Sequence, residues 1–473
     1  MKKLFIPYVI FVVIFVLLSS VAKTAYEHGY LHLNLLFYAE KTLLGTEGDP
    51  PRLENIGFVY PPFSFLPFLF VSDYILAPSL VSAILLTLFI LFMQKRNQDS
   101  GIYFLSAFLL LNPLVLFLSI YRFETLLFYL LLTFSVIILI SYLKEGFSIY
   151  LFSSGILFGL CFFLDFRSLF LIPIFAWIIY ISTREKEVSY RLAILIVKLS
   201  PIIFFLLAWL YLNWIFTESP FTFILSSYSF FTYESVETLA ESRSIFGAVK
   251  YTTMQLIYYF PIILPYFLVL FNLKNYKLLY LMPIYMIYLS PVILVLLSVY
   301  FSIFFPAYYY TVLFLTFALA FQVTCDTKVP KSLIFTLVLS LIFSWVQPLN
   351  SEEENEKNFT RFLLTGSMTA NLTEYSRVTK ILKEENCQKI LIDDVSGFPI
   401  VTFLEDPKRF YLPYMYEYNT VLSYPKSFAD CVVVDRSNPR DRILTRFPSS
   451  SKGFLKGYLL IYEGEKYNVF KKD

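Results

Sequence analysis

The sequence is poor in charge, histidine and glycine-rich motifs, and each shortage excludes a class of protein. Only 15% of its 473 residues are charged, whereas soluble domains carry about 25%. Two histidines are too few for a histidine-based metal centre. The cysteines, which show no C-x-x-C or other metal-binding spacing, are Cys161, Cys325, Cys387 and Cys431. No glycine loop for phosphate, no zinc-protease histidine pair and no nucleophile-elbow serine occurs, so these soluble enzyme classes are not expected.

What the chain has in abundance is apolar surface. Its residues are 58% hydrophobic and 20% aromatic. A soluble core could not bury this amount, so lipid must be the solvent for most of the chain. The formal net charge of +3 argues against a polyanionic partner such as nucleic acid, and membrane lipids are the expected surroundings.

Apolar runs bounded by charges or turns predict about eleven membrane-spanning helices. The predicted spans cover residues 4–22, 77–94, 102–119, 122–143, 147–164, 168–182, 191–215, 251–271, 278–300, 303–323 and 331–348. The first run follows two lysines, as in a signal peptide. It is 19 residues long, which suffices to cross the hydrocarbon, so a retained span is expected.

The distribution of lysine and arginine predicts the orientation of these spans. The basic short loops all fall on one side, which is the cytoplasmic side. They are Lys2-Lys3, Lys95-Arg96, Lys144, residues 184–191, 274–277 and 328–331. The opposite side receives residues 27–54, residues 218–241 and everything after Asn350. We therefore expect a multi-pass inner-membrane protein with a cytoplasmic N-terminus.

Residues 350–473 differ in character from the rest of the chain. Their charge is higher, residues 373–385 have a helical pattern, and residues 389–393 and 431–435 read as buried strands. Residues 458–462 and 467–470 have the pattern of a hairpin. The predicted fold class is an all-α polytopic membrane domain over 1–349 followed by a small extracytoplasmic α/β domain over 350–473. Cys387 and Cys431 could pair in that domain, but free buried thiols are the favoured interpretation.

Two long outer loops, residues 23–76 and 217–250, connect predicted spans. In the first, residues 31–44 have apolar positions at helical spacing, which is typical of an interfacial helix. Tyr60-Pro61-Pro62 then opens a second apolar stretch, 63–71, that is too short to cross a membrane. Residues 23–76 are therefore predicted to hold two short helices along the outer surface. A short surface helix is also expected within residues 217–250.

The first outer loop and the segments after it contain a series of motifs in a fixed order. They are Phe37-Tyr38-Ala39-Glu40-Lys41-Thr42-Leu43-Leu44-Gly45, residues 51–62 with Tyr60-Pro61-Pro62, Asn112-Pro113 with Glu124-Thr125-Leu126-Leu127-Phe128, and residues 155–160 with Phe166-Arg167. These segments resemble membrane glycosyltransferases of the GT-C fold, a group that includes the protein O-mannosyltransferases and the lipid A aminoarabinose transferase. The likeness covers residues 1–185 by local pattern and the remainder by layout.

The resemblance implies a reaction at the outer membrane face. A polyprenyl-phosphate-linked sugar is the donor, and a lipid, a glycan or a protein is the acceptor. A carboxylate near the end of the first span deprotonates the acceptor hydroxyl, which attacks the anomeric carbon, and basic residues stabilise the departing phosphate. No cofactor is implied with certainty, although a divalent metal is compatible with this chemistry.

The sequence departs from the family pattern at the expected acid. Counting back from Tyr38-Ala39 places that acid at Asn34, whose amide is not a base. Three explanations remain open. Another acid of the loop serves, with Glu27 and Glu54 nearest and Asp49 weaker; or the counting is shifted by a few residues; or catalysis has been lost and lipid binding kept.

The candidate site residues are ionisable or polar groups near the outer ends of spans. The candidate general bases are Glu27, Glu54 and Glu124. The candidate substrate contacts are Asn34, Arg52, Tyr60, Arg122, Asp165, Arg167, Arg243 and Lys250. Each has an ordinary alternative: solvated loop carboxylates, interfacial charges, headgroup contacts, or, for Asp165 and Arg167, a structural pair in a tight turn.

The site is predicted to be a cavity at the outer face. Its walls would be residues 23–76, 119–125, 164–168 and part of 217–250. The alternative function is a non-catalytic scaffold or assembly subunit that binds a lipid-linked glycan. A transporter is less favoured because charged residues cluster at one face and the spans lack paired, broken helices at mid-depth.

Overall fold

The structure is a computed structural model that describes residues 2–57, 60–96, 101–225, 244–271, 278–301, 307–324, 329–351 and 353–473, without the side chains of residues 2–5, 54, 101–105, 278–280, 307 and 310. These residues form two compact units. Unit 1 is Met1–Val21, Phe58–Ser64 and Pro78–Ser367. Unit 2 is Ala22–Gly57, Phe65–Ala77 and Met368–Asp473.

Helices dominate the chain as far as residue 365. They are α1 (Lys2–Glu27), α2 (Leu33–Glu47), α3 (Leu66–Phe70), α4 (Leu76–Arg96), α5 (Gly101–Leu111), α6 (Pro113–Tyr121), α7 (Phe123–Glu145), α8 (Ser148–Phe162), α9 (Ile172–Ser182), α10 (Val188–Thr217), α11 (Thr222–Leu225), α12 (Ile245–Tyr258), α13 (Phe260–Val269), α14 (Leu278–Tyr300), α15 (Ala307–Thr324), α16 (Lys331–Val346) and α17 (Glu354–Thr365).

Helices and strands alternate in the C-terminal part of unit 2. The helices are α18 (Thr373–Glu384), α19 (Asp394–Leu404), α20 (Tyr418–Ser423), α21 (Pro425–Phe428) and α22 (Arg442–Arg446). The strands are β1 (Ile390–Leu391), β2 (Phe410–Tyr411), β3 (Cys431–Asp435), β4 (Tyr458–Glu463) and β5 (Tyr467–Lys472).

Among the described residues, 6 helices are long and apolar enough to cross a membrane, or up to 7 if one bent pair counts as a span. They are Ile6–Glu27, Leu76–Arg96, Phe123–Glu145, Val188–Thr217, Leu281–Tyr300 and Lys331–Asn350. The bent pair, α12 and α13, turns by 95°. The chain is thus a multi-pass, mainly helical membrane protein. The count of about eleven spans remains a prediction, because the other predicted spans correspond to shorter or broken helices.

One of these breaks has a local cause in the sequence. Asn112 lies between α5 and α6, and its Oδ1 accepts hydrogen bonds from the backbone N–H groups of Leu114 at 2.9 Å and Val115 at 3.4 Å. Pro113 follows at the first helical position, where its missing N–H leaves no donor unpaired. An asparagine cap followed by proline ends one helix and starts another.

Small residues bring the helices of unit 1 close together. A Cβ placed on Gly155 of α8 would meet the carbonyl oxygen of Lys198 on α10 at 2.5 Å, and one on Gly159 would meet the ring of Phe205 at 2.3 Å. Ser135 of α7 and Ser154 of α8 each donate a hydrogen bond to the carbonyl of the other, at 2.9 and 2.8 Å. The hydrophobic effect between helices is weak in lipid, so close packing at the glycines and hydrogen bonds between the paired hydroxyls stabilise these helix contacts.

The sheet of unit 2 confirms the predicted strands. Its order is β2-β1-β3-β5-β4. β1 lies parallel to β2 and β3, whereas β3–β5 and β5–β4 are antiparallel. The predicted helix at 373–385 appears as α18, and the predicted hairpin appears as β4 and β5. Every residue of β3 is buried, as the continuous apolar run of a central strand requires.

The interpretation of Cys387 and Cys431 as free thiols is wrong. The structure joins them in a disulfide with the Cα atoms 5.9 Å apart. Cys431 begins β3 and stands opposite Ile390 of the neighbouring strand, three residues after Cys387. The parallel pairing of β1 with β3 therefore brings together two cysteines 44 positions apart. Cys161 is free and buried.

The compact units do not divide at residue 350. Most of residues 22–77 belongs with the C-terminal part of the chain in unit 2. The reason is direct contact: Asn371 exchanges hydrogen bonds of 3.1 and 2.8 Å with the backbone of Leu31. In addition, Thr402 Oγ1 donates to the carbonyl of Leu36 at 3.0 Å.

Residues 353–367, in contrast, belong to unit 1. The ring of Phe359 on α17 lies 5.5 Å from Phe117 and 5.4 Å from Tyr121 of α6, and it is fully buried. The charge along the sequence therefore rises at residue 350, whereas unit 1 ends at Ser367. The predicted short helices of residues 23–76 are present as α2 and α3; their position along a membrane surface remains a prediction.

Candidate functional site

Arg122 and Glu124 lie where α6 ends and α7 begins. Arg122 has φ −136° and ψ 46°, which interrupts the helix. Glu124 falls in the first turn of α7, where the helix dipole favours a negative charge. Arg122 Nε donates to Glu124 Oε1 at 2.6 Å, and the Arg122 side chain remains 22% exposed while that of Glu124 is 5% exposed. The result is a charge-assisted pair with a buried carboxylate and a partly open guanidinium.

Asp165 and Arg167 form a second pair in the turn between α8 and α9. Asp165 caps a 3-10 helix, Phe166–Leu171, by accepting from the backbone N–H of Arg167 at 2.9 Å. The guanidinium of Arg167 also bonds both carboxylate oxygens, with Nε at 2.9 Å from Oδ1 and 2.8 Å from Oδ2. Both side chains are buried, so the turn encloses a neutral ion pair.

Two adjacent tyrosines bring these pairs together. The guanidinium of Arg122 lies 5.7 Å from the ring centre of Tyr308, and that of Arg167 lies 4.3 Å from the ring centre of Tyr309. These are cation–π distances, and the shorter one is fully enclosed by protein. We call Arg122, Glu124, Asp165, Arg167, Tyr308 and Tyr309 the arginine–tyrosine cluster. The sequence-predicted turns 119–125 and 164–168 therefore do share one location.

Two further buried residues, Glu356 and Tyr129, lie next to the arginine–tyrosine cluster. The backbone N–H of Tyr308 donates to Glu356 Oε1 at 2.8 Å, and Ser351 Oγ donates to Glu356 Oε2 at 2.7 Å. The ring of Tyr129 on α7 stands edge-on to Tyr309 at 5.3 Å. These contacts hold the start of α15 and hence the two rings that the arginines approach.

The remaining candidates of unit 1 lie elsewhere or outside the described residues. Tyr60 is partly buried ahead of the proline pair, and Phe63 just after it donates its backbone N–H to the carbonyl of Phe163 at 3.2 Å. Lys250 is exposed on α12. Arg243 lies outside the described residues, as does most of the 217–250 loop.

The other candidates belong to unit 2. Glu27 is exposed at the end of α1. Asn34 lies in the first turn of α2, where its backbone N–H donates to His32 Nδ1 at 3.2 Å. Arg52 is exposed, 6.0 Å from the ring centre of Tyr416. The Glu54 side chain lies outside the described residues. A cavity shared by all four predicted segments remains a prediction.

Sequence reasoning did not propose Glu40, Lys41 and Asp394 as functional residues. Glu40 of α2 is fully buried and lies 3.4 Å from Lys41 Nζ, which bonds Asp394 Oδ2 at 2.6 Å. The sequence did indicate that Glu40 is unusual, because it lies one helical turn from both Leu36 and Leu44, on the apolar face of α2. Asp394 could not have been linked to it, because it lies 353 positions away.

Lys198 of α10 was also missed. It is fully buried, and its Nζ donates to Ser154 Oγ at 2.7 Å. The rings of Phe175 and Phe158 lie 5.4 and 5.8 Å from the ammonium. A lysine inside the predicted span 191–215 was the signal, since intramembrane charges face protein or a cavity.

Two buried aspartates in the loops that follow β1 and β3 have structural roles. Asp441 accepts three backbone hydrogen bonds, from Ile443, Leu444 and Asp435, at 2.8–3.0 Å. Burial raises the pKa of Asp441 to about 7 against these bonds. Asp393 accepts from the backbone N–H groups of Val395 and Arg442, and burial raises its pKa as well. Both carboxylates cap helices and hold loops.

Within the described residues there is no group of three or more His, Cys, Asp or Glu side chains that could hold a metal ion. No family model, no curated protein and no solved structure matches the chain.

Proposed function

We propose that this chain is a membrane glycosyltransferase, which moves a sugar from a polyprenyl-phosphate-linked donor to an acceptor at the outer face of the inner membrane. The observation that supports it most is the arginine–tyrosine cluster. Two guanidinium groups, two buried carboxylates and two tyrosine rings lie together there within a body of apolar helices. A lipid phosphate needs cations next to apolar surface, and an acceptor hydroxyl needs a base.

The two arginines have different roles in this proposal. Arg122 contacts the donor phosphate, because its side chain keeps 22% exposure. The side chain of Arg167 is only 6% exposed, and its Nε and Nη2 groups donate to Asp165. Arg167 therefore acts as a positioning residue for the turn and for Tyr309. A planar guanidinium can bind two phosphate oxygens at once, which a lysine does not do.

Glu124 is the proposed general base. Its carboxylate takes the proton of the acceptor hydroxyl while that oxygen forms a bond to the anomeric carbon from the face opposite the phosphate. The bond between the anomeric carbon and the phosphate oxygen breaks, its electron pair stays on the phosphate, and the configuration inverts. Glu27 and Glu54 are alternative bases, and Asn34, Arg52, Tyr60, Arg243 and Lys250 are further proposed substrate contacts.

The proposed topology has about eleven spans, a cytoplasmic N-terminus and an extracytoplasmic C-terminal domain. Two independent observations support it. Lysine and arginine are biased to one set of short loops along the chain. The Cys387–Cys431 disulfide lies in the C-terminal domain, and disulfides persist in oxidising compartments outside the cytoplasm.

The test is transfer by the purified full-length protein in lipid nanodiscs, with a panel of polyprenyl-phosphate sugars and envelope acceptors. Glu124→Gln removes the charge at nearly constant shape, so the transfer rate should fall by about 10²–10⁴. Glu145→Gln is the matched control, because Glu145 is exposed at the other end of the same helix, α7. The control should keep the wild-type rate.

Two outcomes would count against this proposal. If Glu124→Gln, Glu54→Gln and Glu27→Gln all keep full activity, the choice of carboxylates is wrong. If the wild type binds the donors but transfers sugar from none of them, the chain is a scaffold for a lipid-linked glycan. Two observations support that second function. Asn34, at the position of the expected acid, is not a base, and both arginines are already paired with carboxylates.

A further inference from the structure

Glu40 is a carboxylic acid placed where a leucine would be expected. It lies in the middle of α2, between Leu36 and Leu44, and all three side chains are buried. The exposed fraction of Glu40 is 0%. A buried carboxylate normally requires hydrogen bonds or a close cation, since its transfer from water is costly.

The surroundings of Glu40 meet that requirement only through a cation that Glu40 shares with a second carboxylate. Among the described residues, neither Oε1 nor Oε2 has a hydrogen-bond partner. The ammonium of Lys41 lies 3.4 Å from Oε2 but only 2.6 Å from Asp394 Oδ2. Two carboxylates thus share one ammonium. The group of three carries a net negative charge when Glu40 is ionised and is neutral when Glu40 holds a proton.

We propose that Glu40 is a proton-binding site that controls how firmly α2 is held against α19. A proton supplies what the site lacks: it removes the excess charge and provides an O–H donor. The helices are otherwise joined by the Lys41–Asp394 pair, by the Thr402 hydroxyl on the Leu36 carbonyl at 3.0 Å and by the Phe37–Phe398 rings at 5.7 Å. This inference does not depend on the proposed sugar transfer.

The charged groups on every element that packs on α2 support the assignment. From α19 come Asp394 and Asp393, and the latter is bonded to backbone N–H groups. The 3-10 turn Pro407–Arg409 contributes Lys408 and Arg409, and Arg409 pairs with Asp406 at 3.1 Å. The Leu66–Phe70 helix has no charge. In the Leu53–Ile56 turn the charge is on Glu54, whose side chain lies outside the described residues.

Tyr414 is the remaining neighbour. Its hydroxyl is buried without a hydrogen-bond partner among the described residues, and the charges that influence it are those of Glu40, Lys41, Asp394 and Asp49. Lys41 is the described cation within ion-pair distance of Glu40. Within ion-pair distance, the described surroundings therefore provide Glu40 with one ammonium that Asp394 shares, which favours the protonated acid.

The electrostatics give the pH range. Burial raises the pKa of Glu40 from 4.5 to about 8; Lys41 lowers it and Asp394 raises it. Because the folded-state pKa lies above the unfolded value, the stabilisation is fully present below pH 4.5 and is lost as the pH rises through about 8. The folded protein releases this proton around pH 8, and the stabilisation decreases between pH 4.5 and about 8, so α2 should be held most firmly at acidic pH.

The test is an infrared titration of the full-length protein in nanodiscs, prepared with isotope-labelled glutamate. The label separates Glu40 from buried aspartates such as Asp441. The wild type and Glu47→Gln, a control at the exposed end of α2, should show a glutamic-acid carbonyl band that disappears with a midpoint near pH 8. Glu40→Gln should lack it. Its thermal unfolding midpoint should also vary less with pH than that of the control.

The proposal is overturned if the band survives in Glu40→Gln, or if the wild type shows no protonated glutamate at neutral pH. The second outcome needs no variant, so it decides the matter even where Glu40→Gln fails to fold. The two proposals fail separately. If Glu40→Gln loses the band but still transfers sugar, proton binding at Glu40 is independent of transfer. If the wild type shows the band but transfers no sugar, only the proposed function fails.

Discussion

Arg167 is enclosed by protein to a degree that few charged side chains reach. Its side chain is 6% exposed, and Asp165, its partner, is 8% exposed. Burial of both charges costs solvation energy, which the two-oxygen contact and the face of Tyr309 at 4.3 Å offset. The pair is therefore sensitive to the loss of one member and tolerant of the loss of both.

Asp165→Asn should destabilise unit 1 by about 3–5 kcal/mol, because it leaves a buried guanidinium without its counter-charge. The double variant Asp165→Asn with Arg167→Met should recover much of that loss, since it removes the unpaired charge. Chemical unfolding of the purified protein in detergent measures both. If the double variant is no more stable than Asp165→Asn alone, the unpaired buried charge is not the cause of the destabilisation.

At the scale of elements, the disulfide links the segment before β1 to the start of β3. It closes a loop with a sequence separation of 44 residues. Reduction, or Cys431→Ser, should lower the free energy of unfolding of unit 2 by about 2–4 kcal/mol, mainly because the unfolded chain gains freedom. The measurement is the unfolding midpoint with and without reductant. Cys161→Ser, which alters a cysteine outside the disulfide, is the control, and a reductant effect that persists in Cys431→Ser would contradict the explanation.

Helix α2 illustrates how an element acquires its partner. Its apolar spacing is visible in the sequence and predicts a helix that lies along a surface. The structure shows that the buried face meets α19, through Leu36, Phe37 and Lys41. An amphipathic pattern specifies that a face will be covered, not whether lipid or protein covers it.

At the scale of the whole molecule, the arrangement across the membrane is the central prediction. Reporter fusions after Lys95 and after Ser351 should lie on opposite sides, with Lys95 in the cytoplasm, because the basic short loops determine orientation. Paired enzymatic reporters active on opposite sides measure this directly. Both fusions in the cytoplasm would overturn the topology and the outer-face site together.

The sequence by itself determined the class of protein and most of its local structure. Hydropathy runs marked the apolar helices, a helical pattern marked α18, and the patterns of a buried strand and of a hairpin marked β3 and the β4–β5 pair. The turns at Arg122 and Asp165 were also visible, because charged residues interrupt apolar stretches there. These signals are local, since they depend on residues a few positions apart.

The tertiary structure alone decided which distant residues meet. It placed Tyr308 and Tyr309 beside Arg122 and Arg167, joined Cys387 to Cys431, and set Asp394 on Lys41 across 353 positions. It also enclosed Glu40 and Lys198, whose apolar neighbours along the sequence do not show which distant residues pack around them. The physical reason is that burial and ion pairing depend on packing between elements, and hydropathy along one element does not report which neighbour covers it.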